Sequence, residues 1–316
     1  MNTIWLIGAG PMAIDYAKVL DHQKQKFITI GRSEDGAQRF LEATGQSALY
    51  GGLEKFLESK PGLPEAAIVA VSIENLAESC MQLLNYGVKK ILLEKPGVAY
   101  AHEIENLNTM TKEKNATVVL AYNRRFYASV LKVQEMIKED GEVKSFHFEF
   151  TEWSHQIRNL KKHKAELENW FLGNSTHVID TAFYLCGVPT EMTCYQAGAL
   201  DWHSSGSVYS GAGISDKNAL FSYIANWEAP GRWNLEIMTK KNRYIFKPME
   251  KLQVMKIGSI AVEFVTDIDY SLDEKFKPGL YLQTKAFLEA DISKFITIAE
   301  QKDIIQKFYS KISNYN

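Results

Sequence analysis

The sequence predicts an α/β protein whose N-terminal part is a doubly wound parallel sheet and whose C-terminal part is an α+β domain built on a mostly antiparallel sheet. Three observations predict it. Short, almost wholly apolar segments alternate with helix-spaced ones through about residue 120. A glycine turn, "GAGPMA", joins the first apolar segment to the first helical one. From about residue 144 the pattern changes to short segments that alternate residue by residue, without long helices between them. Strands apolar on both faces need helices on both faces, whereas alternating strands bury one face only.

Each element follows from its local pattern. "TIWLI" reads as the first strand, and "GAGPMAIDYAKVLD" then places Ala13, Tyr16, Ala17 and Leu20 on one helical face. "KFITIG" is the second strand, and "DGAQRFLEATG" is a helix ended by Gly45. "AAIVAVS" and the helix "NLAESCMQLLNYG" follow; "VKKILLEKP" is a strand stopped by Pro96, and a helix over roughly 100 to 114 feeds "ATVVLAYN". Beyond "YNRRF" come a helix at about 127 to 138, the alternating "KSFHFEFTEW", and the helix "THVIDTAFYLCG". Strands are predicted in "EMTCYQAGAL", "ALFSYIANW", "WNLEIMTKKNRYIFKP", "KLQVMKI" and "AVEFVTD", with "KKN" as a hairpin turn. "GLYLQTKAFLEADISKFI" reads as one long terminal helix. The domains expected are residues 1–122 for a nucleotide and 123–316 for substrate and oligomerisation.

Composition narrows the function classes. Of 316 residues, 46% are hydrophobic and 23% charged, an ordinary globular balance. With 36 basic and 38 acidic residues and a net charge of -2, nothing draws the chain to nucleic acid or an anionic membrane. Cys80, Cys186 and Cys194 lack metal or disulfide spacing, so no metal is expected and the thiols read as reduced. No segment is long and apolar enough to span a bilayer and no leader is read, which makes the cytoplasm the expected location.

Gly8, Gly10 and Ala13 form GxGxxA between a strand and a helix, the fingerprint of a Rossmann dinucleotide site. Gly8 allows the turn, Gly10 admits a pyrophosphate to the backbone, and Pro11 and Met12 open the helix whose free N–H groups would bind it. The second strand ends in Gly31, Arg32 and Ser33 rather than a carboxylate, which favours NADP(H) over NAD(H), with NAD(H) still open because Glu34 and Asp35 follow. Ser72, at the end of the third long strand, and Glu94, Lys95 and Asn123, at later strand ends, complete the expected cofactor residues. A lysine at a strand end can stabilise charge on a substrate oxygen; a surface lysine in a β-to-α turn is the competing reading.

"GAGPMA" at 8–13, "EKP" at 94–96, "YNRRF" at 122–126 and "HVIDTAFYLCG" at 177–187, in this order, resemble the Gfo/Idh/MocA family, the glucose-fructose oxidoreductase and inositol dehydrogenase group. The resemblance implies NAD(P)-dependent hydride transfer on a sugar, polyol or sugar derivative, and a homodimer or homotetramer formed through the second-domain sheet. It assigns Lys95 to the motif lysine near nicotinamide and substrate, His177 to proton transfer, and Asp180 to the aspartate that follows on the same helix. His177 and Asp180 can share a helical face, and Asn174, Ser175 or Thr176 could cap that helix. A structural histidine satisfied by Asp180 is the alternative. The family pattern DxGxHxxD is broken: Gly173 stands where its first aspartate would be, and Ser175 replaces its glycine. Asn174 is the expected substitute contact, and Tyr122, Arg124, Trp153 and Trp170 are the further substrate candidates, with the later tryptophans read as core or interface. The basic run "RNLKKHKAE" reads as a solvated loop, with a cover over the substrate or a contact to a phosphate on it as the other reading. Two other functions stay open: nonredox lyase or glycosidase chemistry through transient oxidation with recycled NAD, and a noncatalytic nucleotide-responsive or interaction protein.

Overall fold

The computed structural model describes residues 3–313; the outermost residues of both expected domains lie outside them. Two sheets organise the chain. The first runs in chain order through β1 (Ile4–Ile7), β2 (Phe27–Ile30), β3 (Ala48–Leu49), β4 (Ala66–Val69), β5 (Lys90–Leu93) and β6 (Thr117–Leu120). The second contains β7 (Ser145–Glu149), β8 (Pro189–Ala197), β9 (Val208–Ser215), β10 (Leu220–Asn226), β11 (Asn234–Met238), β12 (Asn242–Phe246), β13 (Gln253–Lys256) and β14 (Glu263–Phe264); β15 (Ile296–Thr297) returns to the first.

The first sheet has the order β15-β6-β5-β4-β1-β2-β3, parallel except for β15. Its central strands β1 and β4 are buried at every residue, as two-sided helix cover requires. β1 lies between β2 and β4, so the strand order reverses at its carboxyl end. That is the topological switch point, where such sheets bind ligands.

The second sheet has the order β14-β13-β12-β11-β7-β10-β9-β8 and is antiparallel apart from the parallel pair β7 and β10. Phe146 and Phe148 of β7 stack with Phe221 and Tyr223 of β10 at centroid distances of 5.1 and 5.3 Å. Phe183, from helix Thr176–Cys186, meets Phe148 edge-on at 5.7 Å. Aromatic side chains at alternate strand positions thus bind this helix to one sheet face. Arg125 clasps the same helix: its Nη2 and Nε donate to Asp180 at 2.7 and 2.9 Å, with the Asp180 side chain 1% exposed.

Several expectations change. The chain divides into two compact units, one formed by the chain up to Asn123 with Glu274–Ile304, the other by Arg124–Asp273 with the chain from Ile305. Residues 123–316 are therefore not one continuous domain, because Glu274–Ile304 packs on the first sheet. The supposed long terminal helix stops at Leu288; Ala290 takes a positive φ of 61°, Asp291 accepts from Ser293, and Ile296–Thr297 pairs with β6 as a strand. The strand β9 is absent from the sequence reading because "SGAG" looks like a turn. Its glycines are there for space: a Cβ on Gly211 would lie 2.4 Å from the Tyr223 ring, and one on Gly213 2.1 Å from the Glu191 carbonyl. Short β3 and β15 are also outside that reading. Asp180, expected beside His177, is engaged by Arg125.

Asp180→Asn leaves the Arg125 guanidinium buried without its counter-charge, and is expected to lower the stability of the second unit by about 3–5 kcal/mol. Urea unfolding followed by circular dichroism checks this; an unchanged midpoint would show that the pair is dispensable.

Candidate active site

In the first unit, residues at the carboxyl ends of the parallel strands form the candidate cofactor site. Gly8 follows β1 with φ 116°, and a Cβ there would lie 2.3 Å from the Ala70 carbonyl oxygen, so only glycine fits the turn. Gly10 precedes helix Pro11–His22 without a side-chain cap, and a Cβ on it would meet nothing within 4 Å. An open approach to uncapped helix N–H groups is what a pyrophosphate needs, so these residues fit the cofactor. Pro11 begins the helix, Met12 follows it, and Ala13 is fully buried, keeping the helix close to the sheet.

Gly31 donates to the Leu49 carbonyl at 2.7 Å, and its missing side chain makes room for Ala9, whose Cβ would be 2.9 Å away. The fingerprint turn and the end of β2 are thereby in contact. Arg32 is exposed beside them. The Ser33 hydroxyl accepts from Gly36 N–H at 3.1 Å as the cap of helix Glu34–Thr44, and its own proton is still free to be donated. The Ser72 hydroxyl donates to Glu74 at 2.6 Å.

At the end of β5, Glu94 is buried and Lys95 half-buried. Tyr16 donates to Glu94 at 2.8 Å, which ties the cofactor helix to the strand end that carries Lys95. Burial raises the Glu94 carboxyl above its ordinary range, against the opposing effects of Lys95 and the Tyr16 bond. Tyr122 and Asn123 are inside the unit: Gln301 donates to the Tyr122 hydroxyl at 3.1 Å, and Asn123 donates to the Pro278 carbonyl at 2.9 Å. Both were expected to meet ligands; these are the partners they have within the unit.

In the second unit, the arrangement centres on a residue that motif reading does not single out. Glu152 lies just beyond β7, and its side chain is 1% exposed. Ser175 Oγ donates to it at 2.8 Å, Asn174 Nδ2 at 3.0 and 3.1 Å, Trp233 Nε1 at 3.2 Å and Arg232 Nη1 at 3.3 Å. Burial raises the Glu152 carboxyl, while these donors and the Arg232 charge pull it down. A buried carboxylate without such partners would be untenable.

No side chain caps the histidine helix as expected. A π-helical turn, Phe171–Ser175, runs straight into Thr176–Cys186, so the side chains of Asn174 and Ser175 are available to Glu152. His177 is two residues further on, buried, with its ring centroid 6.2 Å from that of Trp233. The Arg124 and Arg232 guanidinium carbons each lie 4.6 Å from the Trp233 ring centroid. Arg232 is also 4.6 Å from the Trp153 ring, whose Nε1 donates to Gly231 at 2.9 Å.

Of the expected substrate residues, Trp153, Asn174, His177 and Arg124 lie around Glu152, Arg232 and Trp233. Trp170 does not join them; it meets Trp202 edge-on at 6.1 Å, in an aromatic cluster with Trp227. Trp233, read as core or interface, is the ring they share. Glu152 had a signal: it is in phase with Phe146, Phe148 and Phe150 on the buried side of the strand, where a carboxylate is out of place. Trp233 and Arg232, on the segment before β11, had none. The basic run is tied by surface ion pairs, Arg158 with Asp201 and Lys162 with Glu166. The three cysteines are free, no His/Cys/Asp/Glu group among the described residues could hold a metal, and none of their helices is long and apolar enough to cross a membrane.

A parallel sheet with a glycine turn at its switch point, joined to a unit with a mostly antiparallel sheet and a buried histidine, defines an α/β protein of the NAD(P)-binding Rossmann class. Residues 3–122 match the oxidoreductase family with an NAD-binding Rossmann fold known as Gfo/Idh/MocA. The match is confined to this N-terminal domain, and its family is the one that the four motifs resemble. It is 24% identical over 178 residues to the scyllo-inositol 2-dehydrogenase (NADP(+)) of Bacillus subtilis, a match spanning 55% of this chain and 48% of the Bacillus enzyme. An oxidoreductase from Agrobacterium radiobacter, solved with NAD+, L-tartaric acid and magnesium, superposes with a TM-score of 0.77 at 10% identity, covering 99% of this chain and 96% of its own. Levoglucosan dehydrogenase with NADH and L-sorbose gives 0.76 at 17% identity, covering 96% and 93%. These similarities show that the fold extends through both units.

Glu152→Gln places an amide donor among donors and is expected to cost about 1–3 kcal/mol at neutral pH. The folded protein holds the Glu152 proton to higher pH than the unfolded chain does, so this group's contribution falls as pH rises from the ordinary carboxylate range through its raised value, then levels. The stability difference, wild type minus variant, should follow that course in urea titrations over pH 4 to 8. A difference independent of pH would contradict it.

Proposed function

We propose that the protein is an NAD(P)-dependent oxidoreductase that interconverts a carbinol and a carbonyl on a sugar, polyol or sugar derivative. The observation that carries this reading is the uncapped, open glycine turn at the switch point of the first sheet, with Lys95 two strands along. The Bacillus relative, a polyol dehydrogenase by name, supports the substrate class.

When bound, the nicotinamide cofactor supplies or accepts the hydride. Gly8, Gly10, Pro11, Met12 and Ala13 would hold its pyrophosphate, and Gly31, Arg32 and Ser33 its adenosine end. In the reducing direction His177 gives a proton to the substrate oxygen, and Lys95 stabilises the negative charge developing there; in oxidation His177 removes the hydroxyl proton. Arg125 and Glu152 fix the helix that carries His177 from opposite sides of it in sequence. The exposed Arg32 and the free proton of Ser33 favour a 2′-phosphate, hence NADP(H), and the Bacillus relative's NADP(+) accords with this. By the family resemblance, two or four copies associate through the sheet face bearing Tyr195, Leu220 and Ile224, all exposed.

His177→Ala is expected to lower turnover by about 100-fold or more while leaving NADPH affinity nearly unchanged. Stopped-flow nicotinamide absorbance and fluorescence titration measure the two; undiminished turnover on the correct substrate would remove His177 from the reaction. Arg32→Ala should shrink the preference for NADPH over NADH by about tenfold. Fluorescence titration with both cofactors reads that ratio, and a ratio equal to the wild type's would reject the role of Arg32.

A further inference from the structure

We infer that the second-unit site selects a substrate bearing an anionic group, a sugar or polyol carboxylate or phosphate ester, through Arg124 and Arg232. The inference deepens the redox reading above and rests on it. Three guanidinium groups lie in this region with two carboxylates to meet them. Arg125 is taken up by Asp180 through two bonds of 2.7 and 2.9 Å. Glu152 is the other carboxylate, and its oxygens already accept from Asn174, Ser175 and Trp233 at 2.8 to 3.2 Å. Arg232 donates to it over a longer 3.3 Å, and its side chain is 42% exposed.

Arg124 has no ion-pair partner among the described residues. Its guanidinium lies over Trp233 at 4.6 Å and near Tyr127 at 5.7 Å, and its Nε is buried without a hydrogen bond. Glu250 and Asp273 act on Tyr127 electrostatically, yet neither pairs with Arg124. Glu149 lies against Gly231, and it forms no ion pair with Arg232. Of the three guanidinium groups, Arg125 pairs with Asp180 and Arg232 with Glu152, which leaves the charge of Arg124 without an ion-pair partner among the described residues, beside the ring that also contacts His177.

Gly173 acts in the same direction. Position 173 offers no side chain to a ligand, and Glu152 is too enclosed to serve as a substrate contact. A planar guanidinium offers paired N–H donors that match two oxygens of a carboxylate or phosphate. Cations stacked on an indole face keep that geometry while their donors stay available.

The test is isothermal titration of the full chain, saturated with NADPH, with D-glucose, D-glucuronate and D-glucose 6-phosphate. At least one acid is expected to bind about tenfold or more tightly than glucose, with the advantage shrinking as salt is added. Preference for glucuronate alone identifies a carboxylate substrate, and preference for glucose 6-phosphate alone a phosphate ester. Arg124→Gln and Arg232→Gln should each reduce the advantage to about threefold or less, whereas Arg232→Lys, which keeps the charge but not the paired donors, should retain an intermediate advantage. Arg232→Lys and Arg124→Gln carry the test should Arg232→Gln fail to fold. The inference is overturned if neither acid binds better than glucose, whether or not glucose binds. It is also overturned if the advantage persists in both glutamine variants, or if Arg124→Gln weakens NADPH binding and leaves the acid preference intact. Turnover is read separately by nicotinamide absorbance: acid-selective binding with no hydride transfer to any sugar would reject the redox reading and leave the anion selection standing.

Discussion

A buried carboxylate must be surrounded by donors, and in the second unit that requirement, at Glu152, organises everything near the histidine. Glu152 continues the inward phase of Phe146, Phe148 and Phe150, so the strand delivers it to the interior. Desolvation there would cost several kcal/mol if it were unpaired. The cost is met from two directions. Asn174 and Ser175 come from the π-helical turn, and Trp233 and Arg232 come from the segment entering β11. One acid thereby ties a strand end, a helix start and a loop into a fixed arrangement with His177 two residues away.

The same logic bears on the departures from the motif that the sequence resembles. With Gly173 in place of an aspartate, the π-turn carries no charge of its own, and Ser175 in place of glycine has a hydroxyl that a neighbouring carboxylate can use. Asp180 is committed to Arg125, so it steadies the helix from its second turn. The acid groups here act on the scaffold, and Arg124 Nε is left buried without a hydrogen bond.

In the first unit the controlling constraint is close approach of backbones. Gly8 allows the turn to touch Ala70, and Gly31 allows Ala9 to touch the end of β2, so three strand ends meet at the switch point. Tyr16 then links the cofactor helix to Glu94, next to Lys95. The returning segment reinforces this region: Gln301 holds both Tyr122 and the Pro96 carbonyl, and β15 adds an antiparallel edge to β6.

Short-range patterns were legible in the sequence because they act within a few residues. Apolar strands predicted the parallel sheet, GxGxxA its turn, Gly45 a helix end, and "YNRRF" with "HVIDTAFYLCG" the start of the second unit. What sequence order hides is any partner brought in across a long loop. Glycines needed for packing against Tyr223 look like a turn, so β9 was invisible, and a helical run that breaks at Ala290 looks continuous until β6 offers its edge. Glu152 stands 22 residues before Asn174 and 81 before Trp233. The sequence by itself determined the strand phase that buries this acid and the helix that carries His177. Only the tertiary structure decided which donors would satisfy the acid, because hydrogen bonds are chosen by distance in space and not along the chain.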